Sequence, residues 1–435
     1  MDLFLKPSAG EHFIEHHEYY YQDEFISIEQ ILKLPEPILY SKRIKDNICF
    51  KIHEDRSIQT SYFVGVDWLI ENEKAVYIQP KLNKDSPEQT DYLRMLFDAL
   101  KHPEVSNYVD ELFEIKWDSK PIEIEQEQDL LTPLLVVYFL RLVKRIVQKG
   151  LKKSYYKVEQ NLHAKVKGKI LVSKTIKHNI LKNKNLHTIC SFDEFGINGL
   201  ENRLLRKALT FIQRYISSPQ LVHAKDFIEQ SYNYINPAFE FVSSEVNINE
   251  IKHAKTNPFY KEYGEAIKLA KIILKRFGYN ISNVKPNNKI STPPFWIDMS
   301  KLFELYVLGK LIDKFPITGE VIYNKPYNYL IPDFLIKSND GKHRMVVDAK
   351  YKPRYDTANI DVADLRQVAG YARLQKVYDE LGITDLKESI ECLIIFSNQN
   401  SQNENFDKCT FRDREVDEYT LFYKEDIKLP VIKSK

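Results

Sequence analysis

Leu330-Ile331-Pro332-Asp333-Phe334-Leu335-Ile336 and Met345-Val346-Val347-Asp348-Ala349-Lys350-Tyr351 are two short apolar segments, each carrying an acidic residue. Ser338-Asn339-Asp340-Gly341-Lys342 between them is a turn signal, so the pair reads as a β-hairpin. Pairing of the two strands brings Asp333 and Asp348 together. Side chains repeat every two residues along a strand, which sets Lys350 on the same face as Asp348.

The residue types fit a particular chemistry. Two carboxylates held a few ångströms apart repel, and one takes up a proton unless a cation lies between them. Oxygen donors on two strands, with the Ala349 carbonyl beside them, suit Mg²⁺ (Mn²⁺ is the alternative ion), which keeps several waters and is completed by a substrate phosphate. Such an ion polarises a scissile phosphate and lowers the pKa of a bound water. Lys350 is placed to orient that water and to stabilise charge in the transition state. The Pro-Asp … Asp-x-Lys layout is what a metal-dependent phosphodiesterase needs, and a nuclease is the leading expectation. An ordinary hairpin with a surface Asp and Lys carries the same letters.

Flanking segments add to the pattern. Asp298 to Leu308 opens on an N-cap and continues with helical apolar spacing, and Glu304 stands in it as a third acid. Asp361 to Tyr378 is helix-like, and Gln367 and Tyr371 fall four apart on one face. Aimed at one cleft, they hold a phosphate or a metal-bound water; otherwise they are a solvated Gln and a half-buried Tyr. Cys392 to Phe396 reads as a buried strand. Helix, strands, helix, strand predicts a mixed sheet flanked by helices.

Together, the acid-bearing helix, Pro-Asp, Asp-x-Lys and Gln-x-x-x-Tyr resemble the PD-(D/E)xK nuclease superfamily in its Gln-x-x-x-Tyr variant. The chain is further similar to the McrC family, the nuclease subunit of McrBC-type modification-dependent restriction systems. Phe63-Val64-Gly65-Val66 and Val76-Tyr77-Ile78-Gln79-Pro80-Lys81-Leu82 resemble that family's N-terminal strand pair. Lys167-Gly168-Lys169-Ile170 resembles its mid-chain Arg/Lys-Gly-Arg/Lys-Ile segment. Cys190 to Phe195, then Glu201 to Leu209, resemble the stretch where its central helices resume. These landmarks run in the family's order from Phe63 to Tyr371. The stretch before Phe63 does not align with the family.

The resemblance implies Asp333 and Asp348 as metal-binding acids, Lys350 as catalytic lysine, Glu304 as helix acid and Gln367 as helix glutamine. It implies work with McrB, a hexameric AAA+ motor that hydrolyses GTP, with the N-terminal region docking into the ring and stimulating hydrolysis. DNA sensing falls to the motor subunit in that family. The expected function is a Mg²⁺-dependent DNA endonuclease subunit of an anti-phage restriction complex, acting on double-stranded DNA with an AAA+ GTPase or ATPase. Two other classes stay open: a stand-alone repair or recombination nuclease, and a non-catalytic activator of an AAA+ partner. Which modified base triggers cutting, which nucleotide the partner uses, the stoichiometry and the cleavage position are not written in the sequence.

Composition agrees. Charged residues make up 29% and apolar residues 43% of the chain, which excludes a disordered protein. A formal net charge of +2 does not by itself announce nucleic-acid binding, but charge is segregated. From Arg141 to His187 there are fourteen Lys or Arg and one acid, Glu159, just after an acidic stretch from Glu123 to Asp129. Lys152, Lys153, Lys167 and Lys169 are therefore candidate DNA-backbone contacts, unless the run is only a solvated lysine-rich surface. The four cysteines, Cys49, Cys190, Cys392 and Cys409, lack metal-ligand spacing and fit a reducing cytoplasm. His163, His178 and His187 show no zinc-like pairing and read as surface groups. The most apolar run, Leu130 to Val143, is too short to span a bilayer, and no signal peptide is visible.

Three regions are expected in an α/β and α+β multidomain chain. Residues 1–120 form a β-rich partner-docking domain, with a strand over 75–78 ended by Pro80 and a helix around 92–100. Residues 121–285 form a helical region carrying the basic stretch, with helices over 134–147 and 202–216 and a small β element within 156–172. A polar linker over 280–294 precedes the nuclease domain, 286–435, closed by strands near 409–412 and 419–423. No Gly-x-x-x-x-Gly-Lys-Ser/Thr loop occurs; the Gly-Lys pairs at Gly168, Gly309 and Gly341 lack its spacing. Nucleotide hydrolysis of that type needs a second protein.

Overall fold

A computed structural model describes residues 12–17, 21–22, 48–52, 58–80, 90–116, 118–125, 129, 131–215, 225–247, 261–281, 289–327, 329–356 and 359–432. Lys81 and Leu82 of the family-like strand pair, Leu130, Ile216 and residues 282–288 of the expected linker lie outside them. The chain forms two units: residues 1–134 with 285–435, and residues 135–284.

The first unit begins with strands β1 (His12–His17), β2 (Tyr21–Gln22), β3 (Phe50–Ile52) and β4 (Ile58–Thr60). The hairpin of β5 (Phe63–Ile70) and β6 (Lys74–Gln79) follows. Asn72 takes the turn at φ 62°, a left-handed conformation that Asn tolerates better than most residues. Pro80, without an N–H, follows the last residue of β6. Helix α1 (Tyr92–Ala99) is capped by Asp91, whose carboxylate accepts from the Arg94 N–H at 2.9 Å. Strands β7 (Phe113–Ile115) and β8 (Ile122–Glu125) complete this part.

Helix α2 (Leu131–Lys149) leads into the second unit, which mixes helices with a small antiparallel sheet. Strands β9 (Ser154–His163) and β10 (Lys169–Ile170), helix α3 (Val172–His178) and strand β11 (His187–Gly196) form one module, with sheet order β10-β11-β9. Helices α4 (Leu200–Tyr215), α5 (Lys225–Ile235) and α6 (Lys261–Ile281) follow. Asn202 knits the unit together. Its amide donates to the carbonyls of Lys152 at 2.9 Å and Ile197 at 2.7 Å, and its carbonyl accepts from the Tyr263 hydroxyl at 2.8 Å. Cys190 to Phe195 lies inside β11, and the helix resumes only at Leu200. His163 faces His187 across the β9–β11 ladder with ring centroids 4.7 Å apart, a pairing that sequence spacing could not reveal.

The chain re-enters the first unit through β12 (Lys289–Thr292), which pairs with β8, so part of the expected linker is strand. β13 (Phe295–Asp298) inserts between β5 and β7, giving the order β1-β6-β5-β13-β7. Gly65 permits that insertion: a Cβ there would lie 2.0 Å from the Phe295 carbonyl oxygen. Buried Asp67 fastens the junction, accepting from the indole N–H of Trp296 at 2.8 Å and pairing with Lys116 at 2.5 Å. Helix α7 (Met299–Lys314), capped by Asp298, is buried nearly all round. One side meets α1, where a Cβ on Gly309 would lie 3.0 Å from the Ala99 Cα; elsewhere it packs on the strand Arg344–Lys350. The expected boundaries at 120 and 285 therefore do not isolate separate N- and C-terminal bodies, because β13 and α7 join them.

A second five-stranded sheet has the order β14 (Val321–Tyr323), β15 (Phe334–Lys337), β16 (Arg344–Lys350), β17 (Glu391–Ser397), β18 (Phe422–Ile427). The first three strands are antiparallel and the last three parallel. Helices α8 (Val362–Tyr371) and α9 (Gln375–Leu381) cover one face through Leu365, Val368, Val377 and Tyr378. The predicted single helix over 361–378 breaks at Ala372 because the buried positions change phase. A continuous helix would bury Gln375 and Lys376, which are exposed, instead of Val377 and Tyr378. Cys409 to Arg412 is not a strand; Arg412 instead holds Glu391 at 2.6 and 2.8 Å.

Two stability outcomes follow. Gly65→Ala should lose more than about 2 kcal/mol in chemical denaturation, since backbone must move to clear the new methyl; a wild-type midpoint would show that β13 shifts freely. Burial, then the neighbouring Asp426 charge, pushes Glu425 from 4.5 to about 7. The folded state thus holds this proton more tightly than the unfolded chain, and stability falls as pH rises from 4.5 to about 7. Glu425→Gln should melt above wild type at pH 8 and lose that advantage near pH 4, by no more than about 3 kcal/mol. An advantage that does not change with pH would remove Glu425 as the cause.

Candidate active site

The register of the second sheet builds the site. Phe334 pairs with Val347, so Asp333, one residue before β15, stands level with Asp348 on β16. The Ala349 N–H donates to Asp333 Oδ2 at 2.9 Å and fixes that carboxylate. Val346 belongs to the core beneath α8, and the two-residue period turns Asp348 and Lys350 to the same side. Asp348 has no exposed surface, and neither of its oxygens accepts a well-directed hydrogen bond. Lys350 Nζ lies 2.6 Å from Asp348 Oδ2 as an ion pair.

Helix α8 completes the arrangement. Gln367 Oε1 accepts from Lys350 Nζ at 3.0 Å, while Gln367 Nε2 donates to the Tyr371 hydroxyl at 2.8 Å. The four-residue spacing thus places both side chains on one helix face, with Gln367 reaching Lys350. Glu304, on α7, is half-buried and paired with Lys301 Nζ at 3.2 Å. Its charge reaches both aspartates.

Electrostatics follow from this crowding. Burial, then the Asp348 and Glu304 charges, pushes the Asp333 carboxyl well above the usual carboxylate range. Burial also raises Asp348, against the opposing pull of Lys350. Burial works against the charge on Lys350, but Asp348 and Asp333 more than offset it and hold the ammonium above its ordinary value. Asp333 and Asp348 share the half-buried Lys350 while Glu304 is paired with Lys301, so the two strand acids are short of positive charge.

Three further residues were not legible in the sequence. Asp364, buried on α8, lies 3.9 Å from Lys350 and 2.7 Å from Lys352. Its signal was its place three residues before Gln367 on the same helical face. Lys352, two residues beyond Lys350, also pairs with Asp361 at 3.0 Å. Lys301, a buried lysine on α7, bridges Glu304 and Glu111, the latter at 3.6 Å.

The candidate DNA lysines all belong to the second unit. Lys152 is half-buried and paired with Glu201 at 2.6 Å. Lys153 and Lys169 are exposed. Lys167 is exposed, lies 3.3 Å from Glu194 and sits 3.9 Å over the Phe192 ring.

Among the described residues no group of three or more His, Cys, Asp or Glu side chains is placed to hold a metal ion. The donor chemistry fits a hard divalent ion. Asp348 offers buried oxygens without directed donors, and Asp333 stands level with it. Ions such as Mg²⁺ take one or two carboxylates and complete their shell with water and phosphate. Because its ionised form is disfavoured in the fold, Asp348→Asn should melt at or above wild type in EDTA near neutral pH. A lower melting temperature would mean that the Asp348–Lys350 pair is net stabilising.

Comparison with known proteins complements the geometry. No curated protein matches the chain. It is similar to a refined half-complex from a tetradecameric assembly of Thermococcus gammatolerans McrB AAA+ hexamers with bound McrC, at 15% identity and a TM-score of 0.41, covering 96% of this chain and 94% of that one. It is also similar to a cryo-EM structure of the Thermococcus gammatolerans McrBC complex, at 15% identity and a TM-score of 0.30, covering 69% and 88%. The family described as McrBC 5-methylcytosine restriction system component matches residues 58–381, most of the sequence. The chain belongs to that family.

Proposed function

We propose that this chain is the DNA-cleaving subunit of a restriction complex, a PD-(D/E)xK-type endonuclease dependent on Mg²⁺ or Mn²⁺. The observation that carries this is Asp348, a fully buried carboxylate without directed donors, level with Asp333 and beside a lysine held by Gln367. A buried ion pair adds little net stability, because burying the carboxylate costs about as much as its pairing with Lys350 returns. Asp333 and Asp348 would hold the ion, and Glu304 and the Ala349 carbonyl are the further oxygen donors. When bound, the ion supplies charge neutralisation for the phosphate and a more acidic water.

The chain's own residues do the rest. Lys350 presents its ammonium to the scissile phosphate and stabilises charge that grows there. Gln367 fixes the ammonium's direction, and Tyr371 fixes the Gln367 amide in turn. Asp364, 3.9 Å from Lys350 and paired with Lys352, adds a further negative charge beside the lysine. The exposed lysines Lys153, Lys167 and Lys169 give a salt-sensitive contact to the DNA backbone, and Lys152 serves chiefly its pair with Glu201. The sequence has no P-loop, so nucleotide-driven steps fall to an AAA+ GTPase or ATPase partner whose hydrolysis this chain stimulates.

The test is cleavage of 5-methylcytosine-containing and unmodified plasmid with Mg²⁺, with and without the AAA+ partner and nucleotide. Asp333→Ala and Asp348→Ala should abolish cutting and leave stimulation of the partner intact. Lys350→Ala should slow cutting by about 10²–10³-fold with little change in DNA affinity. Normal cutting by either aspartate variant would exclude these residues. Cutting by the chain alone would make it a stand-alone nuclease, and stimulation without any cutting an activator.

A further inference from the structure

Helix α8 contains a glycine that nothing within the fold explains. Gly370 is exposed, and a Cβ built on it meets no atom within 4 Å. It is absent from the residues with positive φ, so no left-handed turn requires it. Alanine would fit and would favour the helix, because glycine surrenders more backbone freedom on folding. A bare stretch of helix is useful when another backbone must come close.

The surroundings indicate what approaches. Arg366 lies one turn before Gly370, Arg373 three residues after it, and both are exposed. Neither guanidinium has an ion-pair or hydrogen-bond partner among the described residues, whereas Lys350, Lys352 and Arg412 are all engaged. Gln367, three residues before Gly370 on the same helix, touches Lys350. The strip therefore begins at the candidate active site. Arg366 and Gly370 are one helical turn apart, about 6 Å, and Arg373 follows just past the end of α8, so the two arginines bracket the glycine along the chain.

We propose that Arg366, Gly370 and Arg373 form the track along which one strand of the nucleic-acid substrate runs beside the cleavage site. Gly370 leaves room for the sugar-phosphate backbone against the helix, and the two arginines take phosphates on either side of it. This deepens the nuclease reading and rests on it. Arginine suits the task because its planar fork matches a phosphate.

The experiment uses the full chain in EDTA with a fluorescein-labelled duplex, reading anisotropy across a salt series, and thermal melting in parallel. Gly370→Ala should melt no lower than wild type. Gly370→Leu should keep its melting temperature and bind DNA at least about tenfold more weakly. Arg366→Glu with Arg373→Glu should lower the slope of log affinity against log salt by about two, near 0.9 for each phosphate contact. Wild-type affinity in Gly370→Leu and the arginine pair overturns the track. So does a wild-type chain that binds no DNA, or a Gly370→Ala variant that unfolds early, which would assign the glycine to folding. Plasmid cleavage with the AAA+ partner separates the two levels. Wild type that binds along this strip yet never cuts leaves the track standing and removes the nuclease reading. Cutting that depends on Asp348 but ignores Gly370→Leu removes only the track.

Discussion

A carboxylate with no exposed surface sits near the end of a central strand, and the C-terminal sheet is arranged around that constraint. Asp348 is buried because β16 has neighbours on both sides, β15 antiparallel and β17 parallel. Such a charge cannot be left alone in an interior. Lys350, one pleat further, supplies the counter-charge, and α8 supplies Gln367 to hold the lysine in place. Asp333 is fixed in turn by the backbone of Ala349, the residue between Asp348 and Lys350. Strand register, helix placement and lysine orientation therefore depend on one another.

Helix α7 plays a complementary part. Being buried nearly all round, it connects the two five-stranded sheets, and its Lys301 and Glu304 lie on the same turn. Lys301 ties Glu304 to Glu111, a residue from the N-terminal part of the chain. The local charge balance at the site thus draws on both ends of the sequence.

How much of this was legible depended on distance along the chain. The hairpin acids and Lys350 were readable because a strand repeats every two residues and the turn lies between them. Gln367 and Tyr371 were readable because four residues make a helical turn. Lys301, Asp364 and Lys352 were not, since their significance arises from packing between α7, α8 and β16. The joining of the two ends was equally hidden: β13 completes a sheet begun at Phe63, and no local pattern names a strand's distant partner. His163 and His187 met for the same reason, through a ladder that brings together residues far apart in sequence.

The position of β13 also dictates an order of events during synthesis. It lies between β5 and β7, so these two strands have no direct neighbour in one another. A ribosome that has released β7 must still make residues 135–284 before the central strand exists. Until then, the inner edges of β5 and β7 offer unpaired backbone groups of the kind that invite aggregation. The second unit, continuous in sequence, can close in the meantime, and the first unit matures last although its opening strands emerge first. Expression yield and chaperone demand should thus depend on the interval between β7 and β13 more than on the chemistry at Asp348.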